Sequence, residues 1–205
     1  PNIVILFADN LGYADVGFFS EDATAAPSRT PQIDGIGRRG MAFDNWNSAA
    51  HLCSASRAAL LTGKYPVRTG VYPGVFKPDA ANGLAPNETT IAEYLRPLGY
   101  ATAAVGKWHL GHRPEFLPTN QGFDDWLGVP YHMSGGSLDN HTCAADAAGT
   151  MWLPLYQADR ILQQPVRVEQ LADRYAATAS DFIARCAAAG RPFFLYLPFS
   201  HVHQL

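Results

Sequence analysis

The sequence predicts an α/β fold built on a mostly parallel sheet flanked by helices. Short apolar runs at residues 2–8, 101–105 and 192–199 have the length and composition of buried strands. Segments of helical pattern lie between them, so strand and helix alternate along the chain. Polar residues follow each run directly: Asp9 and Asn10, Lys107 and His109, His201 and His203. In open α/β sheets ligands bind beyond the carboxyl ends of the strands, so these three clusters are expected to converge.

The elements follow in order. Residues 2–8 (NIVILFA) read as a fully buried parallel strand that opens into a loop at Asp9. Residues 31–40 (PQIDGIGRRG) predict a short helix with Thr30 as N-cap, Pro31 in its first turn and Gly40 as its stop. A second helix starts near Ser56 and closes at Thr62-Gly63. A third covers residues 89–98 and ends at Pro97 and Gly99. Residues 101–105 (ATAAV) are a second buried strand, running into 106–111 (GKWHLG). Residues 112–165 are rich in Pro, Gly, Asn and Asp, and predict long irregular loops with a minor hairpin; such loops are usually functional. Over 168–188, Val168, Leu171, Tyr175, Ala179, Phe182, Ile183 and Cys186 recur at helical spacing. Gly190 ends that helix and residues 192–199 (PFFLYLPF) form the third strand.

A chain of 205 residues can bury a substantial core. With a net charge of −3 and no basic stripe, nothing points to nucleic acid. No apolar run reaches the ~18 residues of a membrane span. The chain opens at Pro1 without a leader, so either a leader has been removed or the chain is trimmed. The three cysteines, Cys53, Cys143 and Cys186, form no disulfide framework. Two Asn-x-Thr triplets begin at Asn87 and Asn140.

Cys53 is the unusual cysteine. Ser54 and Ser56 flank it and Arg57 follows, at the start of a helix (SRAALLTG). A packing cysteine prefers apolar neighbours. A thiolate phosphatase cradle needs a longer loop than the three residues between Cys53 and Arg57. Packing is still the usual fate of a free cysteine, and a third reading is modification of Cys53 itself. Cys-x-Ala-Ser-Arg followed by Ala-Ala-Leu-Leu-Thr-Gly resembles the sulfatase signature, in which the cysteine is oxidised to formylglycine. The likeness runs on through PNIVILFADNLGYADVG, GKWHLGHRPEFLPTNQGFDDWLG and RPFFLYLPFSHVH. These segments resemble those of the arylsulfatase A and N-acetylgalactosamine-6-sulfatase group.

The resemblance implies an alkaline-phosphatase-like fold and a sulfuric ester hydrolase. Sulfur in a sulfate ester is poorly open to attack and its oxygens carry negative charge. A site must supply a strong nucleophile and neutralise those oxygens. Hydrated formylglycine bears two hydroxyls on one carbon. One attacks sulfur and the other lets the aldehyde re-form as sulfate leaves; a serine would stay sulfated. By the same resemblance Asp9, Asn10 and the oxidised Cys53 hold Ca²⁺ or Mg²⁺ through hard oxygens. The family usually has a second aspartate where this chain has Asn10, which removes one negative charge. Arg57 supports the formylglycine oxygens, Lys107 binds a sulfate oxygen, and His109 holds or deprotonates a formylglycine hydroxyl. His203 contacts sulfate and protonates the leaving oxygen. His132 stands where arylsulfatase A has a substrate-site serine, with Ser134 able to slip into that role. Asp15 is read as structural, Trp108 as core and Cys186 as packing. Taken without the family, Asp9-Asn10 fits a turn, Lys107 and His109 share a face if strand geometry persists, and His201 with His203 could chelate a transition metal.

The resemblance further implies a sulfate ester substrate, a formylglycine-generating enzyme as partner, and a lysosomal or secreted setting. Residues 1–205 would be the N-terminal part of a single catalytic domain whose later metal ligands and lysine lie elsewhere. Alone, such a part is expected to be inactive and marginally stable, with an exposed sheet edge and apolar face. Two other readings stand beside this one: a phosphate or phosphonate ester hydrolase of the same superfamily, and an inactive truncated homologue.

Overall fold

The computed structural model of the chain describes residues 1–20, 29–132 and 153–203. Six strands among them form one sheet: β1 (Ile3–Phe7), β2 (Ala101–Val105), β3 (Asp125–Gly128), β4 (Leu155–Gln157), β5 (Arg160–Gln163) and β6 (Phe193–Pro198). Their spatial order is β1-β6-β2-β3-β4-β5. β1, β6, β2 and β3 are parallel, and β4 and β5 add an antiparallel end. The α-helices are α1 (Pro31–Arg39), α2 (Cys53–Thr62), α3 (Pro66–Thr69), α4 (Ile91–Leu95) and α5 (Leu171–Ala188). The expected class, a mostly parallel sheet flanked by helices, is the one adopted.

The sheet separates two apolar cores. On one face Leu171, Tyr175, Ala179, Phe182 and Cys186 of α5 pack on Ala103, Val105 and Leu195. On the other, Ala55, Ala58 and Leu61 of α2 meet Ala104, Trp108, Phe194 and Tyr196. Both roles read from sequence for Trp108 and Cys186 are therefore correct. All residues of the central strands β2 and β6 are buried, because both faces are covered.

β1 departs from the expected fully buried strand. It pairs only with β6 among the described strands and its burial alternates. Ile3, Ile5 and Phe7 face the α2 core, whereas Val4 and Leu6, on the α5 side, are 45% and 54% exposed. Val4 and Leu6 thus form an exposed apolar strip on that side of the strand.

The described parts of this region, residues 112–132 and 153–165, hold more order than composition suggested. β3 pairs in register with β2, and β4 with β5 is the expected minor hairpin. The sequence Asp-Trp-Leu-Gly carries little strand propensity; β2 supplies the ladder that makes it a strand. Helix boundaries also shifted. α2 begins at Cys53, three residues before the predicted start, with Leu52 as its extended N-cap. Thr30 caps α1 by position, but its hydroxyl accepts from Gly17 N and donates to Asp34 Oδ1 instead of closing the first turn. The predicted 89–98 helix is α4 followed by a 3-10 turn at Arg96–Leu98, and Thr90 with Glu93 forms a capping box.

The site segment is wedged between strand ends. Strand geometry stops at Val105, and Gly106 takes φ +133°. A Cβ there would fall on the Pro198 carbonyl oxygen of β6. That close approach lets Lys107 N donate to Pro198 O at 2.8 Å, while Trp108 N and His109 N reach Val129 O and Pro130 O at 2.9 and 3.0 Å. The premise for Lys107 and His109 sharing a face, persisting strand alternation, therefore fails. His109 itself sits at φ +59°.

Candidate active site

Four elements deliver the site. β1 ends at Phe7 and carries Asp9 just beyond, where Asp9 N donates to His201 O at 2.9 Å, tying the ends of β1 and β6 together. Asn10 follows at φ +60°, a left-handed conformation that asparagine tolerates better than most residues. α2 presents Cys53 in its first turn. The loop after β2 brings Lys107 and His109, and the loop after β6 brings His203.

Asp9, Arg57 and Lys107 are all buried. Lys107 Nζ donates to Asp9 Oδ2 at 2.6 Å and lies 3.5 Å from Cys53 Sγ. Cys53 Sγ is 3.7 Å from Asp9 Oδ1. Arg57 Nη1 donates to Lys107 O at 2.7 Å, and Nη2 lies 3.5 Å from Asp9 Oδ2, an ion pair without hydrogen-bond geometry. The guanidinium also stands over the Phe7 ring. Two cations thus share one carboxylate beside the sulfur. Burial, helped by the Arg57 charge, lowers the Lys107 pKa from its ordinary value; Asp9 pulls it back up.

His109 is buried and its Nε2 lies 3.1 Å from Phe76 O. A carbonyl only accepts, so Nε2 carries the proton and Nδ1 of the neutral ring is a lone-pair acceptor. Nδ1 is buried and has no hydrogen-bond partner among the described residues. Burial holds the His109 pKa well below the usual histidine value, and the Lys107, Arg57 and His132 charges add to this. The imidazoles form a row: His109 to His132 is 5.7 Å between ring centroids, and His132 to His203 is 6.0 Å.

The predicted residues therefore assemble: Asp9, Cys53, Arg57 and Lys107 by direct contact, His109, His132 and His203 as the adjoining row. Asn10 is exposed and reaches the site as lining of a surface cavity of about 210 Å³, shared with Asp9, Cys53, Ser56 and Arg57. Asp9, Cys53 and His203 each offer a ligand atom, all within 4.8 Å of one another, and His201 is not part of this group. Asp15 accepts from Gly12 N at the surface, in keeping with a structural role. Ser134, Asn140 and Cys143 lie outside the described residues. Sequence reading missed Phe76, whose contribution is a backbone carbonyl and so leaves no residue-type signal.

The donor chemistry can be tested against the metal the resemblance implies. The Asp9 carboxylate and the Asn10 amide are hard oxygen donors of the kind Ca²⁺ and Mg²⁺ take. The Cys53 sulfur is soft, and oxidation to formylglycine would replace it with oxygen. The set fits a hard cation in type, although it offers fewer oxygens than the roughly six to eight such a cation takes.

With this geometry in hand, comparison with known proteins is direct. The family model for sulfatases matches residues 1–205. The chain belongs to the sulfatase family. It is 42% identical to arylsulfatase A of Homo sapiens over 213 residues, covering 99% of this chain and 41% of the relative. Human arylsulfatase G is 40% identical over 222 residues, with the same shares covered. Among solved structures, that of Ps i-CgsB superposes on the whole chain with a TM-score of 0.82 at 29% identity, covering 46% of that protein. The PsFucS1 sulfatase from Pseudoalteromonas sp. does so with a TM-score of 0.80 at 26% identity, covering 44% of that protein. This sulfatase chain thus spans about two fifths of the length of these curated relatives.

Proposed function

We propose that this chain forms the nucleophile-bearing part of a sulfuric ester hydrolase, the N-terminal portion of a larger catalytic domain. The observation that carries the reading is the setting of Cys53. Its sulfur lies in the first turn of α2, beside the Lys107 ammonium at 3.5 Å, with Asp9 and Arg57 in the same buried network. A sulfate ester brings negative oxygens to such a point, and the ammonium, the guanidinium and the free N–H groups of the helix end all favour them.

Cys53, converted by a formylglycine-generating enzyme, would supply the oxygen nucleophile that a thiol cannot. The other roles fall to the chain's own groups. Lys107 binds and neutralises a sulfate oxygen. Arg57, locked to the Lys107 carbonyl, orients the Asp9 carboxylate. His109 Nδ1 accepts a hydrogen bond from a hydroxyl at position 53, and His203 delivers a proton to the departing oxygen. His132, between them, lines the substrate side. Asp9, Asn10 and position 53 would hold Ca²⁺ or Mg²⁺, which supplies further charge neutralisation when bound. The remaining oxygen ligands would come from the rest of the domain or from water. A lysosomal or secreted setting accompanies this reading. There Asn87, which is exposed, could accept a glycan. Among the described residues no helix is long and apolar enough to cross a membrane.

The test is hydrolysis of an aryl sulfate and the matching aryl phosphate by the longest natural chain carrying this sequence, made with a formylglycine-generating enzyme. The reading expects sulfate release that is lost in Cys53→Ala. Preference for the phosphate, or release that survives Cys53→Ala, would overturn it.

A further inference from the structure

We infer that Ser54 is a positioning residue, fixing the tautomer and orientation of His109 through the peptide of Phe76. The inference rests on the proposed hydrolase reading for its catalytic meaning, but its geometry stands alone. Ser54 is fully buried, and its hydroxyl oxygen accepts from Phe76 N at 3.1 Å. The carbonyl of that same residue accepts from His109 Nε2 at 3.1 Å. One residue thus links the turn of α2 that carries Cys53 to the histidine of the neighbouring loop.

The chemistry of the link is directional. A hydroxyl oxygen that accepts from Phe76 N anchors this residue of the loop between α3 and α4. The Phe76 carbonyl can only accept; held in place by that anchor, it keeps the proton on Nε2 and leaves Nδ1 as the buried lone pair. His109 otherwise has little to choose its tautomer: among the described residues Nδ1 has no hydrogen-bond partner and the ring makes no other hydrogen bond. Ser54 and the nucleophile position are adjacent on one helix, so the base and the group it serves share a single rigid support.

The signature segment therefore has a second use. Beyond guiding modification of Cys53, its first residue after the cysteine sets the histidine. A merely structural Ser54 would leave the ring's tautomer untouched.

The test compares wild type, Ser54→Ala and Ser54→Thr in the longest natural chain. Two-bond proton–nitrogen spectra of imidazole-labelled protein report the His109 tautomer whether or not Cys53 has been oxidised. Wild type and Ser54→Thr should show the Nε2–H form alone, and Ser54→Ala a mixture of both forms. Peptide masses report conversion at position 53 separately. In converted protein, Ser54→Ala should lower kcat about tenfold with KM within about twofold, a fraction of the roughly 10²–10⁴ a positioned general base supplies. Ser54→Thr should restore most of it. A pure Nε2–H tautomer in Ser54→Ala would overturn the inference. Absence of turnover in the wild type would instead count against the hydrolase reading, and the spectra would still decide the role of Ser54.

Discussion

Gly106 should be the residue at which the smallest chemical change does most damage to the site. Its φ of +133° is one that an L side chain rarely adopts, and an added Cβ would land on the Pro198 carbonyl oxygen. Backbone strain of that class amounts to about 1–3 kcal/mol. The displaced carbonyl also accepts from Lys107 N, and losing that buried bond adds about 1 kcal/mol or more. Gly106→Ala should therefore lower stability by at least about 2–4 kcal/mol, the sum of those two terms, before any cost of the clash itself. Gly63 provides the control. It is left-handed too, at φ +69°, but a Cβ there meets nothing within 4 Å. Gly63→Ala should lose only the left-handed penalty, about 1–2 kcal/mol. Urea unfolding of the purified protein, followed by far-UV circular dichroism, gives both values. At about 2–4 °C per kcal/mol for a chain this size, the two variants should also separate in melting temperature. Equal losses for the two alanines would refute the claim that β2 and β6 meet too closely at this point for a side chain.

Lys107→Ala should lower stability by about 3–4 kcal/mol, because it strands the buried Asp9 carboxylate with Arg57 alone at 3.5 Å. Lys107→Met combined with Asp9→Asn should recover at least ~1 kcal/mol of that in a double-mutant cycle, and simple additivity would contradict the network. Acid should weaken the fold through His109. Its proton affinity is lowered in the folded chain, so the unfolded chain binds more protons once pH falls below the ordinary histidine value of about 6.5. Stability contributed there is present above about 6.5 and is lost as pH drops toward the folded-state value, with a slope of at most about 1.4 kcal/mol per pH unit. His109→Gln should remove that slope between about pH 6.5 and 5, and an unchanged slope would show that the ring is not the acid-sensitive group.

How legible the molecule was from sequence depended on how local the cause is. β2 and α5 were clear because their information is local: an unbroken apolar run, and apolar residues at helical spacing. β3 was invisible because Asp125-Trp-Leu-Gly128 becomes a strand through its neighbour β2, a non-local cause. β1 was read as buried from composition, yet burial depends on what covers the α5 side of Val4 and Leu6, which no strand pattern reports. Within the site, Asp9, Cys53, Arg57 and Lys107 could be named from residue type, motif and position after strands. Their burial and the sharing of Asp9 between two cations could not. Nor could the Ser54–Phe76–His109 link, since its middle member acts through backbone atoms. The His109 geometry arises from the positive φ of Gly106 and of His109 itself, not from strand alternation.

The central claim is that Cys53 is a precursor and not the working thiol. Peptide mass spectrometry on the tryptic segment 40–57, from protein made with a formylglycine-generating enzyme, tests it most directly. Conversion of the thiol to the aldehyde should appear as a mass decrease of about 18 Da confined to that segment. A segment carrying only the unmodified thiol, under conditions that convert an established sulfatase in the same cells, would contradict the account.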